Sequence, residues 1–267
     1  MKDIFAKYME VKDPSQKAHA VLSASGSERW MHCPGSAKLS ANIPPQDNVW
    51  SIAGTHAHTL MQFILEYYDE HVQLLAYKSS FKFREFIGFS EEQYAAVMVA
   101  VNYVQSEMAR MQKQTGIKPL LYIEQKLELA GVGFGTADII IYQPFGLLHV
   151  IDFKNGKHKV EPKNNTQGLY YLHAAADRFH WDFSEVWVTI IQPNAPHKDG
   201  PIRTWKTNED TLEFAGMKLR AGARRTREPN PPLVVDAKWC WFCPAREKKC
   251  PAHQNVKHEK IMEKFQR

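Results

Sequence analysis

The sequence predicts an α/β fold, on three observations. Helix-like runs stand on both sides of a central block of strand-like segments. Those segments, Leu120 to Leu129, Phe134 to Tyr142 and Leu147 to Lys154, are rich in Ile, Val and Leu, with turn chemistry between them at Ala130-Gly131 and Gln143-Pro144-Phe145-Gly146. The resulting order of helix, three strands, helix and strand interleaves both element types in one stretch of chain. Composition agrees. The 267 residues are 44% hydrophobic and 24% charged, as in an ordinary globular protein, which excludes global disorder.

The elements follow in order. The first 45 residues are short polar pieces around Ser23-Ala24-Ser25-Gly26-Ser27, Trp30, Cys33 and Pro34. A helix is expected from Thr55 to about Asp69, and another from Glu91 to about Gln114, ended near Gly116 and Pro119. After the three strands comes a helix from about Asn165 to His180 and a strand from Val186 to Ile191. The loop Pro193 to Pro201 leads to a short strand at Ile202 to Trp205. A basic helix over Asp210 to Arg227 is broken by Pro229 to Pro232, and the end carries Cys240, Cys243, Cys250 and a charged helix-like tail. Repeats, low-complexity tracts and long linkers are absent, so one unit over 1-267 is expected, with a core at about 50-192 and terminal segments 1-49 and 229-267.

Compartment and partners are bounded loosely. No apolar stretch approaches the roughly 20 residues that span a bilayer, and Met1 to Asp13 lacks the apolar centre of a secretion signal. The expected setting is cytoplasmic, where structural disulfides are unusual, so the four cysteines are read as buried thiols, nucleophiles or metal ligands. A formal net charge of +5 permits an anionic partner without demanding one.

The strands carry the chemistry. Side chains alternate faces along a strand, so Asp152 and Lys154 point the same way. If the hairpin turns around Pro144-Phe145, Asp138 falls nearly opposite Asp152. Two acids and a lysine then converge in Ile/Val-rich strands, where unpaired charge is costly. Carboxylates suit a hard divalent cation, and the lysine can hold a water or steady charge developing on phosphate. A surface salt bridge is the plainer reading of an isolated D-x-K triplet, and the apolar context argues against it.

Of twelve histidines, His58 is singled out by helix geometry. It lies about 40° from Gln62, at the border of a polar stripe formed by Thr55, Thr59, Gln62, Glu66 and Asp69. His56 falls instead among Leu60, Phe63 and Tyr67, as a packed or supporting residue. On the later helix Gln167, Tyr171, Ala174 and Arg178 share a stripe, facing either phosphates and bases or plain solvent.

Together these residues resemble the PD-(D/E)XK (restriction-endonuclease-like) nucleases, in the RecB-like and phage-exonuclease branch. Gly54 to His58 reads as G-x-x-x-H, Gly135 to Asp138 as G-x-x-D, Asp152-Phe153-Lys154 as D-x-K, and Gln167 to Tyr171 as Q-x-x-x-Y. The four motifs in this order span about residues 50 to 192. The resemblance implies a central mixed sheet flanked by helices and Mg2+- or Mn2+-dependent hydrolysis of DNA phosphodiesters. It implies metal ligation by His58, Asp138, Asp152 and the main-chain carbonyl of Phe153, with Lys154 orienting or activating water and Gln167 and Tyr171 completing the catalytic set. Glu124 is left out, because Glu124, Lys126 and Glu128 alternate like a solvated strand face.

Cys240-Trp241-Phe242-Cys243 with Cys250 nearby makes simple buried thiols a poor explanation, and zinc and an iron–sulfur cluster both accept four thiolates. Trp30 to Ser36 and Cys243-Pro244 resemble the iron–sulfur subset of the same nucleases, which places one cysteine before the core and three after it. That likeness implies a 4Fe-4S cluster held by Cys33, Cys240, Cys243 and Cys250, stapling the chain ends together; structural Zn2+, with His253 as a substitute ligand, is the alternative.

A DNA path is expected along Lys154, Lys157, His158, Lys159 and Lys163, along Arg220, Arg224, Arg225 and Arg227, and at Arg246, Lys248 and Lys249. Trp205, Trp239 and Trp241 can stack bases, the last two being read chiefly as shields for the cysteines. An exonuclease of phage recombination or repair is the leading expectation, acting beside a strand-annealing protein if the family habit holds. An endonuclease, a CRISPR spacer-acquisition nuclease and a non-catalytic DNA-binding protein are the rivals.

Overall fold

A computed structural model describes residues 20–44, 49–66 and 90–256. The opening stretch Met1 to Asp13, the expected helix end toward Asp69 and the charged tail past 256 lie outside the described residues. Two short helices come first, α1 (Ser27–His32) and α2 (Gly35–Ser40), followed by α3 (Val49–Glu66) and α4 (Glu91–Thr115). Ser90 starts α4 with a capping box: its Oγ accepts from Gln93 N at 3.2 Å while Gln93 Oε1 accepts from Ser90 N at 2.9 Å. Gly116 ends the helix at φ 73, a left-handed conformation that glycine adopts without strain.

The sheet contains β1 (Leu120–Leu129), β2 (Gly133–Tyr142), β3 (Leu147–Phe153), β4 (Glu185–Ile191) and β5 (Ile202–Thr207), in spatial order β1-β2-β3-β4-β5. Neighbours are antiparallel except β3 and β4, which run parallel with Val150 opposite Val188. Parallel neighbours need a crossover, and α5 (Thr166–Arg178) supplies it. The expected mixed sheet flanked by helices is therefore present. The observed β3 stops at Phe153, leaving Lys154 as the first residue beyond the strand.

Strand alternation divides the core in two. Ile140, Tyr142, Leu148, Val150 and Val188 face α5, whereas Ile139, Ile141, Ile151 and Phe153 face the apolar sides of α3 and α4. Behind α5 lie α1 and α6 (Glu209–Thr226), which explains why every residue of α5 from Gly168 to Ala176 is buried. The one-sided helix expected from the sequence is thus a two-sided one, and Tyr171 and Ala174 point into protein. Gly168 permits the close approach to the sheet: a Cβ there would lie 2.7 Å from Val188 Cγ1. Trp205, expected to stack bases, is partly buried against this same core. Among the described residues, no helix is long and apolar enough to cross a membrane.

One buried histidine makes the fold sensitive to acid. His149 in β3 is fully buried, its Nε2 2.7 Å from Thr189 Oγ1, with the rings of Tyr103 and Trp187 set edge-on against it. Burial, then the charges of Arg110 and Lys206, pushes its pKa down to about 3. The unfolded chain takes up this proton below a pKa of about 6.5 and the folded chain does not. The neutral ring's full contribution therefore holds above that value and is lost as pH falls from there toward 3. Urea unfolding of His149→Gln is expected to lose this slope, which reaches about 1.4 kcal/mol per pH unit; equal acid sensitivity in both proteins would contradict the assignment.

Candidate metal centre and a cavity lined by four cysteines

The β2–β3 ladder ends at Ile139 paired with Ile151, and counting one step further sets Asp138 opposite Asp152 where the strands part. Both carboxylates are buried, at 9% and 2% exposure. Asp138 Oδ2 accepts the Phe153 N–H at 2.8 Å. Lys154 Nζ donates to Asp152 Oδ1 at 3.1 Å and to Gln167 Oε1 at 2.9 Å, and Gln167 Nε2 donates to Asp152 Oδ1 at 2.9 Å. These three side chains close a ring of hydrogen bonds. Asp152 Oδ2, buried, stands 3.0 Å from Lys154 Nζ yet accepts no well-aligned hydrogen bond, so lone pairs remain there for a cation.

His58 reaches the same place from α3. Its Nδ1 lies 3.4 Å from Asp138 Oδ1 and 3.6 Å from Glu124 Oε1, and its ring meets Phe153 edge-on at 5.5 Å. His58, Glu124 and Asp138 bring one ligand atom each within 4.8 Å of one another, the only such triple of His, Cys, Asp or Glu among the described residues. His56 is half-buried, as a packed neighbour should be, and burial lowers its pKa.

Glu124 corrects the sequence reading. Its chain neighbours Ile123 and Gln125 pair with Ile139 and Ala137, so it faces Asp138 by count. Its φ of 47 is left-handed, an uncommon state for a glutamate, and interrupts the strand that its neighbours follow. Lys126 and Glu128 are exposed as expected; Glu124 is turned into the site. Side-chain periodicity presumes regular backbone and cannot reveal that departure.

The electrostatics are those of a site short of positive charge. Burial pushes Asp152 up to about 6, with Lys154 opposing and Asp138 adding to the rise. Burial also acts to raise Asp138, but His58 and then Lys154 outweigh it and hold this acid below its ordinary value. Burial pulls His58 down, and Asp138 and Glu124 overcome that pull, raising the imidazole to about 10. A proton on His58 therefore supplies charge that a divalent cation would supply instead. Two carboxylates, an imidazole and a buried free carboxylate oxygen fit magnesium or manganese.

The glycines of two motifs differ in purpose. A Cβ on Gly135 would lie 2.8 Å from Tyr171 Cε1 and 3.1 Å from the Cβ of Ala24, so the glycine makes room for the tyrosine ring. Gly54 has open space where its Cβ would be, and no packing need explains it. Burial, followed by Asp138 and Asp152, keeps the Tyr171 phenol far above its usual pKa, hence protonated.

Away from this centre, Cys33, Cys240, Cys243 and Cys250 line one cavity with Arg29, Trp239, Arg246 and His253, and all four thiols are free. The two chain ends thus meet, as Gly35 N donating to Pro232 O at 2.9 Å also shows. Backbone N–H groups of Val234 and Asp236 point at Cys33 Sγ (3.3 Å) and Cys240 Sγ (3.4 Å); burial nevertheless pushes the Cys240 thiol above its ordinary pKa, with the Asp236 N–H opposing. The cysteines form no triple within 4.8 Å among the described residues. Four thiolates can hold either a zinc ion or an iron–sulfur cluster.

Trp239 closes the cavity, stacked on His32 at 4.8 Å. Trp241, read as a second shield, is instead 59% exposed. Of the bases expected along a DNA path, Lys157, Lys159, Lys163, Arg224, Arg225 and Arg227 are exposed, whereas Arg220 is drawn within 3.9 Å of Asp177.

The chain belongs to the DUF2800 family, described as a protein of unknown function, which it matches over residues 19–267. Among solved structures it is similar to the protein SSO0001, at 15% identity over 94% of this chain and 96% of that one, with a TM-score of 0.38. It is similar to a candidate exonuclease from Eubacterium rectale at 11% identity, covering 88% of this chain and 87% of that one, TM-score 0.44. An alkaline exonuclease from Laribacter hongkongensis matches at 12% identity over 47% of this chain and 66% of its own, TM-score 0.28.

Proposed function

We propose that this protein is a metal-dependent deoxyribonuclease of the PD-(D/E)XK kind, acting as an exonuclease on DNA ends in phage recombination or repair. The observation that carries the reading is the convergence of half-buried His58 and Lys154 on the buried carboxylates of Asp138 and Asp152. A bound Mg2+ or Mn2+ would supply an activated water and neutralise charge on the scissile phosphate. His58, Asp138, Asp152 and the Phe153 carbonyl would hold it, with Glu124 as a further ligand. Lys154, fixed by Asp152 and Gln167, orients the attacking water and steadies the negative charge that develops on phosphate oxygens. Burial lowers the pKa of Lys154, but Asp152 and Asp138 more than offset it, so the amine acts as a cation. Gln167 and the protonated Tyr171 contribute hydrogen bonds and set the position of Lys154.

The whole chain works as one unit in this reading, with the core at about 50-192 and the terminal segments joined through a 4Fe-4S cluster on Cys33, Cys240, Cys243 and Cys250. The meeting of all four cysteines from both chain ends in one cavity supports a shared cofactor there, with structural Zn2+ as the alternative.

Digestion of end-labelled linear and covalently closed circular DNA with Mg2+ or Mn2+ tests the reading. Cleavage confined to linear DNA is the expected result. Attack on closed circles would replace exonuclease by endonuclease, and binding without cleavage under any metal would overturn the enzymatic reading. Glu124 has its own expected outcome: Glu124→Gln weakens Mn2+ binding by about tenfold, the effect of losing one charged ligand from a partly buried site. Calorimetric titration reads it, and an unchanged affinity would remove Glu124 from the ligand set.

A further inference from the structure

Trp241 and Phe242 are the two residues between Cys240 and Cys243. Because both cysteine sulfurs turn into the cavity, the intervening side chains turn outward, and they are 59% and 65% exposed. Burying two large aromatic rings is ordinarily favourable, so such a pair left in water marks a surface with something to bind. The pair is also held in place. Arg29 Nη1 donates to Phe242 O at 3.1 Å, and the Arg246 guanidinium lies over the Trp241 ring at 5.4 Å.

His158 stands against both rings, at 5.9 Å from Trp241 and 5.3 Å from Phe242. It belongs to the loop that leaves Lys154, and that loop is tied down from below. Gln192, itself 1% exposed, donates from Nε2 to the Gly156 and His158 carbonyls at 2.9 and 2.6 Å. Its Oε1 accepts Val160 N at 3.1 Å, while the buried Arg203 donates to Val160 O at 2.8 Å. The rings therefore keep a fixed relation to the segment that starts at the metal centre. The setting is basic: Lys157 and Lys159 flank His158 in the open, Arg29 and Arg246 flank the rings, and Glu247 is the acid beside them, 3.4 Å from Arg246.

We propose that Trp241, Phe242 and His158 form a stacking platform for the unpaired bases of a DNA strand whose phosphates run past Lys157, Lys159 and Arg246 toward Lys154. Every base offers a π-face, so aromatic rings in a cationic frame suit single-stranded nucleic acid without regard to sequence. This rests on the nuclease reading for the identity of the polymer, and it adds where the strand is gripped. It also gives the cysteine module a second role, because fixing the cluster's loop fixes the platform.

The test is binding of a fluorescein-labelled single-stranded thymidine oligonucleotide to the full-length holoprotein, read by anisotropy without added divalent metal, so that cleavage plays no part. Trp241→Ala and Phe242→Ala are each expected to raise Kd by about tenfold, the worth of one stacked base. Trp241→Phe, which keeps a ring, is expected to restore most of the affinity, and Phe145→Ala, an exposed ring on the β2–β3 turn, to leave Kd unchanged. An oligonucleotide lacking bases throughout is expected to bind all of these proteins alike. Unchanged affinity in both alanine variants, with cofactor absorbance intact, would overturn the platform, as would an equal loss for the base-free strand. If no metal supports cleavage yet the alanine variants lose base-dependent binding, the platform stands while the nuclease reading falls.

Discussion

Asp152→Ala is expected to reduce metal-dependent DNA hydrolysis by about a thousandfold or more while the protein remains folded. The side chain has two duties at the site, since it offers a free carboxylate oxygen and anchors both Lys154 and Gln167. On the proposed mechanism its loss would remove a metal ligand and release the lysine that steadies charge on the phosphate. The fold does not depend on it in the same way. Burial raises Asp152 to about 6, so keeping it ionised carries a desolvation cost in the metal-free protein. Removing a disfavoured buried charge relieves desolvation even as it breaks the pair with Lys154, and Asp138 remains near that cation. Thermal unfolding and end-labelled digestion, run on the same sample, read the two consequences separately. A folded variant with full activity would sink the site assignment.

Cys250→Ser is expected to cost the protein its cofactor and to loosen both chain ends together. Cys250 is buried at 8% exposure in the cavity that Cys33, from the other end of the chain, also lines. Without that cofactor these segments would keep only direct contacts: Gly35 N to Pro232 O, Leu233 beside Gly35, Arg29 on the Phe242 carbonyl, His32 stacked on Trp239 and Lys238 paired with Glu28. Structural metal centres contribute folding free energy directly, so a loss of a few kcal/mol and a fall in Tm of about 10 °C are expected. Limited proteolysis should cut first within 229–256. The wild-type protein, purified without oxygen, is expected to be brown and to contain iron and sulfide; a colourless protein holding zinc would reject the cluster.

Much of the fold was legible because it is written locally. The bounds of β1 follow from an apolar pattern closed by Ala130-Gly131, and Asn165, where the helix was expected to begin, caps α5 by accepting Gly168 N at 2.8 Å. The facing of Asp138 and Asp152 followed from counting across a short turn. What was not legible depends on distant chain or irregular backbone. The second buried side of α5 exists only because α6 and α1 fold over it. The helix α3 begins at Val49, earlier than expected, because Val49 and Trp50 are 74% and 75% exposed and break the inward apolar pattern used to find a helix start. Glu124 enters the site through a left-handed kink, and Trp241 is turned outward by the cysteines on either side of it.

The central claim is that one buried constellation makes this protein a metal-dependent DNA hydrolase, and release of acid-soluble nucleotides from linear duplex DNA tests it most directly. The expected results are no release in chelator, release restored by adding Mn2+ or Mg2+, and none at any metal concentration for Asp152→Ala. Release that persists in chelator or in that variant, or its absence from folded wild-type protein under every metal tried, would contradict it.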